Sequence, residues 1–514
     1  MAESRLGQLC GRVWPSLLSL LLLSGCAVGP NYRPPQPEMP ESWPVISSSV
    51  RTLPAAPLPE SETKAVVVPN PDELELARWW TRYNDETLNR LVDEALAGNL
   101  NLQAAEQRIL EARANKHIAS AAFWPQVNTT GQVQRGRVSA MSRDGGSVPT
   151  TNLFQAGFDA LWELDIFGGT RRSVEAAQAD MQAAIEDRRD ILVTLVAEVG
   201  SDYLQLRGYQ KQLAIARENV VAQQKSVDVT QQRYRGGFVP ALDVANAQAQ
   251  VATTRAQIPV LETFAWQTIH SLSILLGREP DALAKELAAA APIPAPPATV
   301  PAGLPSDLLR RRPDIRRSEA QLHAATARIG VAKADLFPKF SLTGQTGLQS
   351  PQGSSLTKWA NRYWNTGPSL TWPILAGGRI GANIQLQKRL TDEALLNFRQ
   401  TVLGALGDVD NALIAYTKEK EHYQALSEAV TANTRAVELA TKLYANGQTD
   451  FLNVLSAQGA LYQSQNALVL SETALATDVV ALYKALGGGW SEDMENPCPP
   501  PPPQGAGDAA KEQK

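Results

Sequence analysis

Cysteine is scarce in this 514-residue chain: three occur, Cys10, Cys26 and Cys498, which is too few for a disulfide framework or a cysteine metal site. Aromatic residues make up only 6%, and charge of one sign is missing, since 48 basic side chains face 52 acidic ones for a net of −4. That balance argues against a nucleic-acid-binding surface. Beyond the N-terminus no run of about 18 uncharged apolar residues occurs, which excludes a bundle of membrane helices. The four histidines, His117, His270, His323 and His422, are dispersed and lack the i, i+4 spacing of a helical zinc site. Each reads as a solvated or hydrogen-bonded helix residue. Gly487-Gly488-Gly489 lacks the Lys-Ser/Thr that completes a phosphate loop, and no nucleophile elbow appears. Carboxylate pairs such as Asp408 and Asp410 fall inside a long helical stretch and read as a solvated face. Nothing argues for catalysis, and no cofactor, metal or nucleic-acid partner is expected.

What is present begins at the N-terminus. Arg5 and Arg12 precede an apolar segment from Val13 to Leu23, which is too short to span a bilayer and reads as the hydrophobic region of a signal peptide at residues 1–25. The following Leu23-Ser24-Gly25-Cys26 resembles a bacterial lipobox. That resemblance implies removal of residues 1–25, an S-diacylglycerol thioether on Cys26 and an N-palmitoyl group on its new amino terminus. Ala27, in place of an aspartate, favours sorting to the outer membrane. Each buried methylene contributes about 0.8 kcal/mol, so a multiply acylated Cys26 anchors this end without a spanning helix. An ordinary signal peptide with a chance cysteine is the alternative.

The 34 prolines crowd into a few stretches. One lies between Cys26 and Pro71, suited to an extended spacer, and another from Ala291 through Pro305. The flanks of the second match each other at an offset of 210 residues: Trp162 falls on Trp372, Gly168 on Gly378, Tyr234 on Tyr444, Gly237 on Gly447, and Leu276-Gly277 on Leu486-Gly487. Upstream the offset becomes 213, with Phe123-Trp124-Pro125 on Leu336-Phe337-Pro338. One structural unit has been duplicated. The chain therefore divides into a signal peptide (1–25), a lipidated spacer with the start of an equatorial region (26–98), a first repeat (99–277), a proline-rich linker (278–305), a second repeat (306–490) and a disordered tail (491–514) carrying Cys498 as a free thiol.

Each repeat has one grammar. An alanine-rich helical stretch (Leu100 to Phe123; Ser306 to Phe337) ends at a proline, two alternating segments follow, and then comes a long proline-free stretch (Thr170 to Arg235; Arg379 to Ala445). The long stretch carries apolar residues at helical spacing: Leu192, Leu195, Val196, Val199, Tyr203 and Leu206. A helix of about 66 residues is roughly 100 Å long. Gly236-Gly237 and Asn446-Gly447 supply turns, after which a shorter helix runs to Leu276 or Leu486. The two shorter helices of a unit sum nearly to the long one, so they can stack end to end beside it.

The alternating segments have period two. Phe154, Ala156, Phe158, Ala160, Trp162, Leu164 and Ile166 share one face of the first. Phe340, Leu342 and Leu348 share a face of the next, and Trp364, Leu370 and Trp372 of the last, while the strand from Val127 is more polar. Such segments fit either a half-buried sheet of a soluble domain or transmembrane β-strands. With the lipidation signal, the membrane reading is favoured, with Phe154, Phe158, Trp162, Phe340, Leu342 and Trp372 facing lipid. Four strands cannot close a membrane barrel and open edges are not tolerated in lipid, so several chains share one barrel.

The lipobox followed by Gly29-Pro30-Asn31-Tyr32, Trp79-Trp80 with Leu88 and Leu91, Arg311-Arg312-Pro313-Asp314-Ile315, and Tyr483 to Trp490 together resemble the TolC-type outer-membrane factors. More closely they resemble the NodT-like lipoprotein branch that serves resistance-nodulation-division (RND) efflux systems. The resemblance implies a mainly α protein with a membrane β-barrel: a homotrimer in which each chain gives four strands to a twelve-stranded barrel and long antiparallel helices to a periplasmic α-barrel. It implies a passive duct for drugs or other small amphiphilic compounds, coupled to a periplasmic adaptor and an inner-membrane RND transporter. Gly236, Gly237, Asn446 and Gly447 would be periplasmic tips contacted by the adaptor. Asp243, Asp450, Asn453, Ser456, Arg233 and Arg235 are candidate aperture residues. Asn453 and Ser456 stand where relatives often carry aspartate, and Asp243 and Asp450 serve equally well as helix N-terminal charges. Arg233 and Arg235 either pair across neighbouring helices or stay solvated. Two other readings are an exit duct for secreted polypeptides and, from a different class, a lipid-anchored periplasmic coiled-coil adaptor.

Overall fold

The computed structural model describes residues 27–40, 42–43, 76–137, 150–297 and 305–491. The signal peptide, Cys26, most of the spacer, part of the linker and the tail with Cys498 lie outside the described residues. The main elements are α1 (Glu86–Gly98), α2 (Leu100–Ala121), β1 (Gln126–Gly136), β2 (Thr151–Leu164), α3 (Gly169–Arg235), α4 (Ala241–Leu275), α5 (Pro313–Ala334), β3 (Lys339–Ser350), β4 (Arg362–Thr371), α6 (Arg379–Ala445) and α7 (Phe451–Ala485). The duplication is visible in the elements themselves: α3 and α6 have 67 residues each, and α4 and α7 have 35 each.

The second repeat departs from expectation at its start. Instead of one helix from Ser306, a 3-10 turn (Pro305–Asp307) and a single helical turn (Leu308–Arg311) precede α5. Pro313 is the cause, because a residue before proline is pushed out of the helical region. Arg312 accordingly sits at φ −78°, ψ 118°. A second correction concerns Trp372, which lies one residue beyond β4. The β3–β4 ladder ends at the Lys339–Thr371 pair, and Pro338 and Pro373 on either side have no N–H to extend it.

The chain forms two compact units. One comprises the residues up to Pro37, Glu106–Glu186 and Arg316–Thr401. It holds the sheet, in which β1, β2, β3 and β4 pair antiparallel in that order. Below the sheet, Ile380 and Ile384 at the start of α6 pack on Ala332 of α5.

The other unit comprises Glu38–Ala105, Asp187–Ile315 and Val402 onward. Its core gathers the motifs noted in the sequence. Trp79 is buried and stacks on Tyr483 with ring centroids 5.4 Å apart. Tyr83 donates its hydroxyl hydrogen to the Ala476 carbonyl at 2.7 Å. Leu88 and Leu91 on α1 are fully buried. Gly200 faces Trp79 so closely that a Cβ there would lie 2.8 Å from the indole, which accounts for a glycine in mid-helix.

The end of α4 docks on the start of α2. Asn99 donates its side-chain amide to Leu275 O at 2.8 Å and accepts from the Leu102 N–H, and Gly98 and Gly277 pass with no room for a Cβ on either. The end of α7 meets the start of the second repeat in the same way. Trp490 donates to Arg311 O at 3.0 Å, Arg312 donates to Ala485 O at 3.0 Å, and a Cβ on Gly487 would meet Arg311 O. The short helices of each repeat thus abut end to end at both junctions.

Candidate functional site

Strand register decides which side chains share a face. The pairs Phe158–Thr346, Trp162–Leu342 and Leu164–Phe340 between β2 and β3, and Thr346–Trp364 and Phe340–Leu370 between β3 and β4, put the paired members of the alternating series on one side, while Leu153 and Leu161 of β2 fall on the other. Val127 and Val133 of β1 join them opposite Ala160 and Phe154. This face is open: Val133 is 75% exposed, Phe158 55%, Leu342 44% and Trp364 77%. The other face carries Asn128, Gln132, Gln155, Asp159, Glu163, Gln345 and Asn365. There Gln155 donates to the Tyr363 hydroxyl at 2.6 Å, bridging across β3. Neither face of the sheet is covered within the chain, so its apolar side chains are not gathered into a protein core.

Two tryptophans mark the end of the sheet nearest the helices. Trp162 donates its indole N–H to Phe123 O at 2.9 Å, and Trp372 donates to Leu336 O at 3.1 Å. The two bonds are copies of each other in the two repeats. The second anchors Trp372 although it has left the ladder.

At this end a strap of residues 27–32 is laid onto the first unit. Val28 N–H donates to Phe167 O at 3.0 Å, and Arg172 donates to Val28 O and to Asn31 Oδ1. Gly29, at φ +106°, runs against Gly330 with no space for a side chain on either. Tyr32 stacks on His323 with centroids 4.3 Å apart and donates to Glu319, and His323 contacts Glu175 at 3.0 Å. Burial works to raise the Glu175 carboxyl, but hydrogen bonds from His323 and Arg172 outweigh it and hold the group below its ordinary value. Sequence reading found Gly29 to Tyr32 only as part of a resemblance. The partners on α3 and α5 were not legible, because they lie more than a hundred residues away.

The two glycine turns are also copies. In each, the helix closes with a pair of reversed hydrogen bonds: Gly237 N to Tyr234 O and Phe238 N to Arg233 O in the first, Gly447 N to Tyr444 O and Gln448 N to Leu443 O in the second. This is the Schellman arrangement, which needs a left-handed residue at the glycine, and φ is +76° at Gly237 and +75° at Gly447. Gly236 and Asn446 are the helix-end residues just before them. A small core of Val227, Ala247, Val251, Tyr444, Phe451 and Val454 joins the ends of α3 and α6 to the starts of α4 and α7.

Arg233 links the two turns. It donates to the carbonyls of Tyr444 and Ala445, and its guanidinium lies 4.6 Å from the Tyr444 ring centroid. Arg235 is exposed. Asp243 sits in the first turn of α4, where its charge complements the helix N-terminus. Asp450 is the N-cap residue of α7, but its carboxylate makes no capping hydrogen bond. Asn453 donates to the Thr449 hydroxyl at 2.7 Å, and Ser456 is exposed.

Two features escaped sequence reading. Asp408 is ion-paired to Arg312 at 3.0 Å, so the Asp408–Asp410 segment is not simply a solvated face, and burial raises the Asp410 carboxyl. On α7, burial and then the nearby charge of Glu419 push Asp478 up to about 6. Glu419 is itself engaged by Ser471 and His422. Only spacing across two antiparallel helices brings these groups together. No cluster of three metal-type ligands occurs among the described residues.

An uncovered apolar sheet face, free sheet edges at β1 and β4, and long hairpin-forming helices define a membrane-embedded duct rather than a soluble domain. The chain belongs to the outer membrane efflux protein family, whose model matches residues 91–278 and 304–488, one match per repeat. It is 32% identical over 478 residues to nodulation protein T of Rhizobium leguminosarum bv. trifolii, covering 92% of this chain and 96% of that protein. It is 32% identical over 483 residues to the probable efflux pump outer membrane protein TtgC of Pseudomonas putida, covering 93% and 96%. Among solved structures it resembles the outer-membrane channel OprN, with a TM-score of 0.81 and 34% identity over 90% of this chain and 100% of that one. The protein is thus a mainly helical outer-membrane channel of this family, with its helical part directed to the periplasm.

Proposed function

We propose that this chain is the outer-membrane component of a tripartite efflux pump, passively conducting drugs or other small amphiphilic compounds from the periplasm to the exterior. The carrying observation is the exposed apolar sheet face combined with two unpaired edges in a single chain. Unsatisfied backbone groups are not tolerated in lipid, so β1 of one copy pairs with β4 of the next, and three copies complete a twelve-stranded barrel. The helices of the three copies then form the periplasmic tube. Cys26 carries the acyl anchor, one residue before the strap that docks beside the sheet.

The turns around Gly237 and Gly447 are the tips that a periplasmic adaptor engages, and the inner-membrane partner is an RND transporter that supplies the energy. Asp243, Asp450, Asn453 and Ser456 line the aperture, and Arg233 holds it in its resting shape. The chain itself supplies conduction and no chemistry. In a cell with an intact adaptor and transporter, deleting this chain raises steady-state accumulation of an amphiphilic dye, and re-expression restores it. Unchanged accumulation after deletion, in a cell without a second such channel, contradicts the proposal. A periplasmic adaptor or scaffold would leave the sheet's apolar face without a partner.

A further inference from the structure

The apolar sheet face is not uniformly apolar. Across all four strands its paired positions contain two charged residues, Arg135 on β1 and Arg362 on β4, and no acidic one. Both lie at the end of the strands away from the helices, since β1 and β3 leave the helices at Gln126 and Lys339 and reach this end at Gly136 and Ser350. Arg362 is exposed, and among the described residues no carboxylate pairs with it. Its Nε donates to Trp359 O at 2.9 Å, and its guanidinium carbon lies 3.0 Å from the Trp359 ring centroid.

The loop that presents Trp359 is built rather than loose. Ser350 is buried and bonds Gln352 and Ser355, and Asn361 donates to Ser355 O at 2.6 Å. Trp359 and Trp364, 75% and 77% exposed, flank a depression of about 800 Å³ on this face, floored by Phe158 and Leu348. An exposed guanidinium held on an indole at the rim of an apolar hollow matches an acyl chain joined to a phosphate.

We infer that the Arg362–Trp359–Trp364 hollow is a binding site for the phosphorylated glycolipid of the outer leaflet, its phosphate on Arg362 and an acyl chain against Phe158 and Leu348. The inference rests on the proposed channel orientation, which places this end of the sheet at the exterior. Charge selects the ligand. An unpaired arginine facing lipid is costly at mid-depth but not at the headgroup level, where it meets phosphate. A zwitterionic lipid offers no net negative partner, whereas the outer leaflet offers a bisphosphorylated one.

The test uses the full-length protein reconstituted in phosphatidylcholine nanodiscs and titrated with bisphosphorylated lipid A or its dephosphorylated derivative, with bound lipid counted by native mass spectrometry. The expected result is at least about tenfold tighter binding of the phosphorylated form. That preference is lost in Arg362→Gln, reduced in Arg362→Lys and in Trp359→Ala, and unaffected by 10 mM inorganic phosphate, taken here as roughly a hundredfold excess over lipid. Equal binding of the two lipids, an unchanged Arg362→Gln variant, or displacement by free phosphate overturns the site. The same preparations are fused to planar bilayers. Wild-type protein that conducts but shows no lipid preference refutes the site alone, whereas protein that fails to conduct refutes the channel reading on which it rests.

Discussion

Arg233 ties two turns together, with two carbonyl contacts from Nη1 and one ring contact to the second repeat. Hydrogen bonds from a charged group contribute about 1.5–3 kcal/mol each when lost from a packed site. Arg233→Ala is therefore expected to speed amide exchange at Gly237 and Gly447 by about ten- to a hundredfold, with little change near Trp79, as read by hydrogen-exchange mass spectrometry. Asp478 yields a pH prediction. Its carboxyl is raised in the folded protein, so the folded state holds the proton more tightly than the unfolded one. Ionisation therefore destabilises the fold as pH climbs from about 4 to above 6. Asp478→Asn is expected to raise the melting temperature at pH 7.5, and that gain is expected to vanish near pH 4. A gain that is the same at both values contradicts the burial argument. Residues of this kind were the least legible from the sequence. Arg233 carried two open readings, and Asp478 none, because its environment is made by Glu419, which lies 59 positions away in the chain and close in space.

At the level of elements, the long helices and their turns were readable because each signal is local. Apolar spacing of three and four marks α3 and α6, and paired glycines or Asn-Gly mark where they end. The departures also have local causes: Pro313 splits the start of the second repeat, and Pro338 and Pro373 stop the β3–β4 ladder. The turn glycines make a clean prediction. Nothing lies within 4 Å of a Cβ built on Gly237, and only Arg233 Nη2, at 3.7 Å, approaches one on Gly447. The cost of a side chain there is thus conformational rather than steric. Gly447→Val is expected to destabilise the turn by about 1–2 kcal/mol, while Gly447→Asn is expected to cost less because asparagine tolerates the left-handed region. Equal losses from both variants, measured by thermal unfolding in detergent, would show that crowding rather than φ governs the position.

At the scale of the whole molecule, the duplication and the alternation together made the architecture legible, while assembly depended on a physical argument about edges. A strand pattern cannot say whether its apolar face meets lipid or protein. Here that face is uncovered within the chain, and strands of 10 to 14 residues, at the tilt of membrane barrels, would span roughly 25–35 Å. Arginine introduced at Phe158 or Leu342 is expected to cost up to about 2–4 kcal/mol each, depending on depth. The double variant is expected to stay out of the membrane fraction, whereas a soluble sheet would accept both changes at a solvated surface. The central claim, that several copies of this chain make one duct through the outer membrane, is tested most directly by purifying the full chain in detergent and fusing it to planar lipid bilayers. The account predicts a heat-sensitive trimer that produces discrete, long-lived conductance steps. A monomer that remains in solution without detergent and gives no conductance would contradict it.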